Sequence, residues 1–316
     1  MYDYAYYGSF EAVFSIWTVR KRRAWVKRKK RPEMDSGETE RFMNLWEAVF
    51  CGIIQGLTEF LPVSSSGHLA LFHAFFGMET AENHLSFDIL LHFATLAVVL
   101  IVYRRDVCDV CAGALTVTGK LLRGRLGKEA VSESERMALL LAVATAPMAA
   151  GLFLKEPLER LSAYPAVIGV ALMLNGSLLL LSDRFSKRNG KALLSVWGAV
   201  GVGLFQLLAI VPGISRSGAT IAGGMLFGLS RKNAVKFSFL LSVPAILGAN
   251  VINVPEMLVT PVENKILIFY LMGMAAALIF GFAAMKLLAY ISAKEKFGFF
   301  AYYCMLVGIS ALLFSR

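Results

Sequence analysis

Apolar residues fill most of this chain in stretches about as long as a bilayer is thick. Residues 87–103, 137–154, 164–182, 237–252, 266–290 and 297–314 each read as one such stretch, close to the roughly 17–25 residues that a spanning helix needs. Two further apolar regions, 46–76 and 196–229, are longer than one span and carry Pro62 and Pro212 near their middles. Proline has no N–H to give and turns the residue before it away from the helical region. Each long region therefore predicts two short helices that dip into the membrane and return to the side they came from. Non-helical backbone is tolerated at that depth only where protein buries it or a wet cavity meets it, so a polar cavity is expected at the two breaks. The fold class that follows is an all-α polytopic membrane protein, with six transmembrane helices plus two re-entrant helical hairpins.

The charged positions between the stretches orient the chain. Arg104, Arg105, Lys120, Arg123, Arg125, Lys128 and Arg136 share one loop, and Arg184, Lys187, Arg188 and Lys191 a second. Arg231, Lys232 and Lys236 form a third, and Lys294 and Lys296 a fourth. With hairpins that return to their own side, all four loops fall on one face, which the positive-inside rule makes cytoplasmic. The other face keeps Lys155, Arg160 and Lys265 beside Glu156, Glu159, Glu256 and Glu263. Each half is then one hairpin followed by three spans, so the second half starts from the opposite side. That is an inverted-topology repeat, with copies at about residues 44–182 and 195–314 of a single membrane domain, 41–316. Residues 1–40 do not fit, because their dense basic run from Arg20 to Arg31 would lie outside. They are expected to be a disordered basic extension or a mis-called start, with Met34 or Met43 the true beginning. The other reading keeps the tail and reverses the first hairpin.

Composition agrees with the membrane reading and narrows the partners. The chain is 57% apolar and 17% charged, with a mean hydropathy of +0.62, whereas soluble domains carry roughly 25% charged residues. The net charge of +10 sits in the N-terminal run and the short loops, a distribution that suits membrane lipids and excludes nucleic acid. Cys51, Cys108, Cys111 and Cys304 make no disulfide framework. The lone Cys108-Asp109-Val110-Cys111 spacing reads as two small residues near a membrane boundary rather than as zinc or redox chemistry.

The two breaks carry the chemistry. The first runs Gln55-Gly56-Leu57-Thr58-Glu59-Phe60-Leu61-Pro62-Val63-Ser64-Ser65-Ser66-Gly67-His68, and in the second Ser215-Arg216-Ser217-Gly218 answers Ser64-Ser65-Ser66-Gly67. Ionisable residues at membrane depth are costly and by default mark function. Gln55 and Glu59 lie one helical turn apart on one face, and Glu59 points towards the unwound segment. Ser64, Ser65 and Ser66 offer hydroxyls, His68 sits in the first turn after the break, and Ser215, Arg216, Ser217 and Thr220 surround the other helix start. Free amides, a helix N-terminus, hydroxyls and a guanidinium together suit phosphate oxygens. Plainer readings stand beside these. Ser64 and Ser66 can simply satisfy a broken backbone, Arg216 can pair with Glu59 as structure, His73 and His92 read as structural, and Arg231 reads as a flanking charge.

Residues 55–69 and 212–220 resemble the two signature motifs of the undecaprenyl-diphosphate phosphatase family of the bacitracin-resistance type, and 228–249 resemble its segment after the second motif. The resemblance runs from about residue 45 to the C-terminus. It implies a multi-pass plasma-membrane (inner-membrane) enzyme, open to the outer face, that removes the terminal phosphate of undecaprenyl diphosphate. Such an enzyme recycles the lipid carrier of cell-wall glycans, assisted by a divalent cation, Mg²⁺ or Ca²⁺. Carried over residue by residue, Glu59, Ser65, His68 and Arg216 fall on catalytic positions, and Glu59 also on the metal. Gln55, Ser215 and Ser217 fall on substrate-binding positions, to which the reading of the residues themselves adds Ser64, Ser66 and Thr220. Two positions depart: Gln55 stands where the family often has Glu, and Tyr303-Cys304 where it commonly reads Tyr-Arg. Attack by Ser65, activated by His68 or Glu59, and attack by an activated water both remain open. The rival reading is a transporter or flippase of a phosphorylated lipid on the same inverted-repeat scaffold, although a carrier does not require the Glu59, Ser65 and His68 cluster. Oligomeric state is not legible, and a homo-oligomer is compatible with everything above.

Overall fold

The computed structural model describes residues 44–76, 82–125, 129–185, 190–251, 264–293 and 297–315. The expected N-terminal extension, residues 1–40, lies outside these. The regular elements among the described residues are helices, apart from an isolated bridge between Lys191 and Leu229. Helix α1 (Leu45–Phe60) opens on a capping box, in which the Asn44 side chain accepts from the Glu47 amide and the Glu47 carboxylate accepts from the Asn44 amide. After the first break come α2 (Ser65–Phe76), α3 (Glu82–Val102) and α4 (Arg104–Leu122), then α5 (Glu133–Thr145), which opens on a second capping box from Ser132 and Glu135. Next are α6 (Met148–Glu159), a short 3₁₀ turn (Arg160–Ala163) and α7 (Pro165–Phe185). Helices α8 (Val196–Leu208) and α9 (Arg216–Leu226) flank the second break, followed by α10 (Arg231–Val251), α11 (Asn264–Ala293) and α12 (Gly298–Phe314).

Two of these helices, over Pro165–Arg184 and Lys265–Ala293, are by themselves long and apolar enough to cross a membrane. The other expected spans are modified. Residues 137–154 are not continuous: a turn at Ala146 and Pro147 divides them into α5 and α6. The stretch 87–103 is α3, and after Tyr103 the chain turns by 90° into α4, a helix in the region expected as a basic loop. Large apolar side chains stand exposed along the outside, among them Trp197, Phe153, Leu271, Ile279, Leu306 and Leu313. A water-soluble surface does not carry so many, and lipid is the solvent that suits them.

Small residues let the helices approach closely, as membrane helices do when no hydrophobic gradient drives them together. A Cβ on Gly52 of α1 would lie 2.1 Å from the Gly273 carbonyl oxygen of α11, and one on Gly56 would lie 2.6 Å from the Ala277 carbonyl oxygen. On the other side of the molecule, Gly169 of α7 and Gly308 of α12 would each meet the other's carbonyl oxygen, at 2.7 and 2.6 Å. Charged residues near the helix ends pair with one another. Lys236 pairs with Asp106 at 2.5 Å, and Arg231 with Asp183 at 2.6 Å. The second Asp183 oxygen accepts from the Phe297 amide at 3.0 Å. These bonds join the start of α4, the end of α7, the start of α10 and the residue before α12, so Arg231 serves as a tie between helices.

Gly52→Val is expected to separate α1 from α11 and cost about 1–3 kcal/mol or more, read as a lowered melting temperature in detergent. Gly119→Ala on α4, where an added Cβ meets nothing within 4 Å, is expected to be neutral or to stabilise by up to about 1 kcal/mol.

Candidate active site

The first break begins where Pro62 forces Leu61 into an extended conformation, ψ 144°. Ser64 then adopts φ 74°, a left-handed conformation that costs an ordinary residue roughly 1–2 kcal/mol. Local bonds hold it there. Its hydroxyl accepts from the Gly67 amide at 3.2 Å, and its carbonyl accepts from the His68 amide at 3.2 Å and the His68 ring Nδ1 at 2.7 Å. The second break turns through Gly213 at φ 100°, and Ser215 caps α9 by accepting from the Gly218 amide at 3.0 Å.

The two breaks rest on one another. A Cβ on Gly67 would lie 3.0 Å from the Gly213 Cα. Asn175 of α7 ties them, donating to the Pro62 carbonyl at 2.9 Å and accepting from the Ser215 amide at 3.1 Å. The Ser217 hydroxyl donates to the Leu61 carbonyl at 3.2 Å. Backbone groups that a broken helix leaves without partners are thus served in part by α7 and by the facing break.

Across this junction Arg216 Nη2 donates to Glu59 Oε1. Glu59 Oε2 accepts from the Ser65 hydroxyl at 2.7 Å and from Gln55 Nε2 at 3.1 Å, and it faces His92 Nε2 at 3.8 Å. The Glu59 side chain is 5% exposed and that of Arg216 is 21% exposed. The carboxylate is therefore nearly sealed, while the guanidinium keeps a partly exposed edge. Ser65 has a base in contact, and it is Glu59. His68 points elsewhere. The Ser64 carbonyl can only accept, so His68 Nδ1 carries the proton, and Nε2 of the neutral ring accepts from the Tyr303 hydroxyl at 2.9 Å. The His68 and Tyr303 rings stack, with centroids 5.6 Å apart.

Of the residues expected from sequence, Gln55, Glu59, Ser65 and Arg216 thus form the ionic centre, and Ser64, Ser215 and Ser217 buttress the breaks. Ser66 is exposed, its hydroxyl 3.4 Å from that of Ser64. Thr220 faces α10: its hydroxyl lies 2.6 Å from the Ser238 hydroxyl and donates to the Arg216 carbonyl at 2.8 Å. Three residues of the site were not anticipated there: Asn175, Tyr303 and His92. His92 had the same signal as His73, an imidazole in an apolar stretch, yet His73 lies 3.6 Å from the Cys51 thiol while His92 faces Glu59.

No group of three or more His, Cys, Asp or Glu side chains able to hold a metal ion occurs among the described residues. Gln55 Oε1, however, is buried without a hydrogen-bond partner. A neutral oxygen beside one carboxylate fits Mg²⁺, which is commonly bound through one or two carboxylates plus the phosphates of a substrate.

The profile of the bacitracin resistance protein BacA family matches residues 48–310. An undecaprenyl-diphosphatase of Alkaliphilus metalliredigens is 40% identical over 276 residues, covering 86% of this chain and 99% of that protein. One of Desulfatibacillum aliphaticivorans is 39% identical over 277 residues, with 86% and 99% covered. One of Desulfosudis oleivorans is 40% identical over 268 residues, with 83% and 95% covered.

Asn175→Leu leaves the Pro62 carbonyl and the Ser215 amide buried without this partner, at about 1–3 kcal/mol each. The variant is expected to melt at a lower temperature and to lose the ionic centre's function, although Asn175 does not touch Glu59, Ser65 or Arg216. Thermal unfolding and turnover measured on one preparation check both effects.

Proposed function

The chain belongs to the bacitracin resistance protein BacA family, and from that premise we propose that it is an undecaprenyl-diphosphatase. It hydrolyses undecaprenyl diphosphate to the monophosphate and inorganic phosphate, recycling the lipid carrier of cell-wall glycans at the plasma membrane. The observation that carries this reading is the Ser65 hydroxyl held on the Glu59 carboxylate, which Arg216 clamps from the second break. A carrier of phosphorylated lipids would use an anion clamp but has no need of a hydroxyl hydrogen-bonded to a base.

In the proposed reaction the open edge of Arg216 takes up the terminal phosphate. Ser65 Oγ attacks its phosphorus while Glu59 Oε2 accepts the serine proton. The bond from phosphorus to the bridging oxygen breaks, and the departing monophosphate receives the proton from Glu59. Water then attacks the phosphoserine with Glu59 again as base. Inorganic phosphate leaves, and Ser65 recovers its proton. Arg216 stabilises the charge that develops on the transferred group in both steps. A divalent cation held by Glu59 and Gln55 Oε1 would neutralise charge on the diphosphate.

The same reading covers the topology: one membrane domain, six spans and two re-entrant hairpins in an inverted repeat, with the site open to the outer face. Corresponding contacts in the two halves support it. Gly52 of α1 abuts the Gly273 carbonyl of α11, and Gly203 of α8 abuts the Ala144 carbonyl of α5. Helices α7 and α12, which close the two halves, pack on one another, as do α3 and α10. The basic helix ends joined by Lys236–Asp106 and Arg231–Asp183 suit a single cytoplasmic face.

Detergent-purified protein is expected to release phosphate from undecaprenyl diphosphate, with EDTA lowering the rate and Mg²⁺ or Ca²⁺ restoring it. Ser65→Ala, Glu59→Gln and Arg216→Gln are each expected to slow turnover about 10²–10⁴-fold. Acid quenching with substrate labelled in the terminal phosphate should leave label on Ser65. Full activity of Ser65→Ala, with no labelled serine in the unaltered protein, would assign the attack to water.

A further inference from the structure

Helix α4 leaves the 90° corner after α3 with one face held by the protein and the other uncovered. On the held face Val107 and Val110 pack against the main core, and a Cβ on Gly113 would lie 2.5 Å from the Ser134 carbonyl oxygen. Asp106 pairs with Lys236 and Lys120 with Glu135, so the rotation of the helix about its own axis is fixed. On the uncovered face Cys108, Cys111, Ala112, Leu115 and Leu122 are exposed, Leu115 by 75% and Leu122 by 83%. A Cβ on Gly119, between the two leucines, would meet nothing within 4 Å. Steps of three and four residues keep all these positions in one stripe.

Water does not favour such a stripe, and two observations point to lipid. Leu100, Ile101 and Val102 end α3 and are exposed, so the apolar outside of the molecule runs up to the corner and continues along α4. The 90° turn carries the chain across the direction of α3; where α3 spans, α4 lies in the plane of the membrane. Beside the stripe Arg105 and Arg123 are exposed, about five turns apart on one edge. Asp109 and Thr116 share that edge. Arg104 opens the helix, and Arg125 follows it, 3.7 Å from Glu129 with both side chains exposed. An apolar face bordered by arginines is the pattern of a helix lying in the interface of an anionic leaflet.

We propose that α4 is an interfacial helix that binds anionic phospholipid. Its stripe sits at the acyl boundary, and Arg104, Arg105 and Arg123 meet the lipid phosphates. This surface is separate from Glu59, Ser65 and Arg216 and does not depend on the reaction proposed for them. A basic amphipathic helix also fits a groove on another protein, but such a groove would not account for the continuity of the stripe with the exposed end of α3.

The test uses the native thiols, because Cys108 and Cys111 stand on the stripe while Cys51 and Cys304 are buried. The full chain carrying Cys108→Ala is spin-labelled at Cys111. A second form, carrying Cys108→Ala, Cys111→Ala and Thr116→Cys, is labelled on the arginine edge. Both are placed in nanodiscs of phosphatidylcholine with or without phosphatidylglycerol. Collisions with oxygen, which concentrates in lipid, are compared with collisions with a water-soluble nickel chelate. The oxygen-to-nickel ratio at Cys111 is expected to exceed that at position 116 several-fold and to rise further with phosphatidylglycerol. Arg105→Gln with Arg123→Gln is expected to remove that rise. Equal nickel access at both positions would put the stripe in water and overturn the proposal. Oxygen preference at both would overturn it as well, by sinking α4 into the hydrocarbon. An immobilised label at Cys111 shielded from both reagents would assign the face to a protein partner instead. A ratio that ignores phosphatidylglycerol, or a rise that survives the double variant, would defeat the recognition of anionic lipid by these arginines.

Discussion

A helix broken inside an apolar body leaves carbonyls and amides that bulk water does not reach, and each of them needs a partner from the protein. Here the two breaks supply one another. Leu61 and Pro62 of the first present carbonyls, and Ser217 of the second and Asn175 between them donate to those carbonyls. Ser215 of the second presents an amide, and the same Asn175 accepts from it. Gly67 and Gly213 let the backbones come close enough for this to work. Local bonds serve part of each break, and the bonds between them serve the rest.

That mutual dependence positions the chemistry. Glu59 is the last acid before the first break and Arg216 the first residue of the helix after the second, so locking the breaks together brings opposite charges into contact at low exposure. A buried carboxylate without a partner would be costly. Paired, it costs less, and its second oxygen remains available to orient Ser65. Arg216 is the more exposed partner of the pair, and in the proposed reaction the diphosphate competes for the same guanidinium.

The breaks and the ions are legible in the sequence, because Pro62, Pro212 and Gly213 punctuate apolar stretches and because Glu59 and Arg216 are expensive where they stand. Their partners are not. Asn175 is a single amide in an apolar span, and its role depends on α7 passing between two segments more than a hundred positions apart in one case. His73 and His92 are indistinguishable until α3 packs beside Glu59. Helix α4 was hidden by its charge, although Val107, Val110, Gly113 and Val117, on the less exposed side of that helix, follow a helical period. The close seam between α1 and α11 had a signal in Gly52-Ile53-Ile54-Gln55-Gly56, a spacing that marks helix contact in membranes.

Gln55 shows how one substitution redistributes work within the same geometry. Its amide nitrogen donates to Glu59 Oε2, so it helps to orient the carboxylate but adds no charge. With Arg216 opposite, the resting pair is balanced, and a second acid at position 55 would leave an unmatched negative charge in the same pocket. In the proposed reaction a diphosphate on Arg216 would bring more negative charge than one guanidinium neutralises. The remaining Gln55 oxygen is buried and without a hydrogen-bond partner, so it would meet a cation as a neutral ligand rather than as a counter-charge.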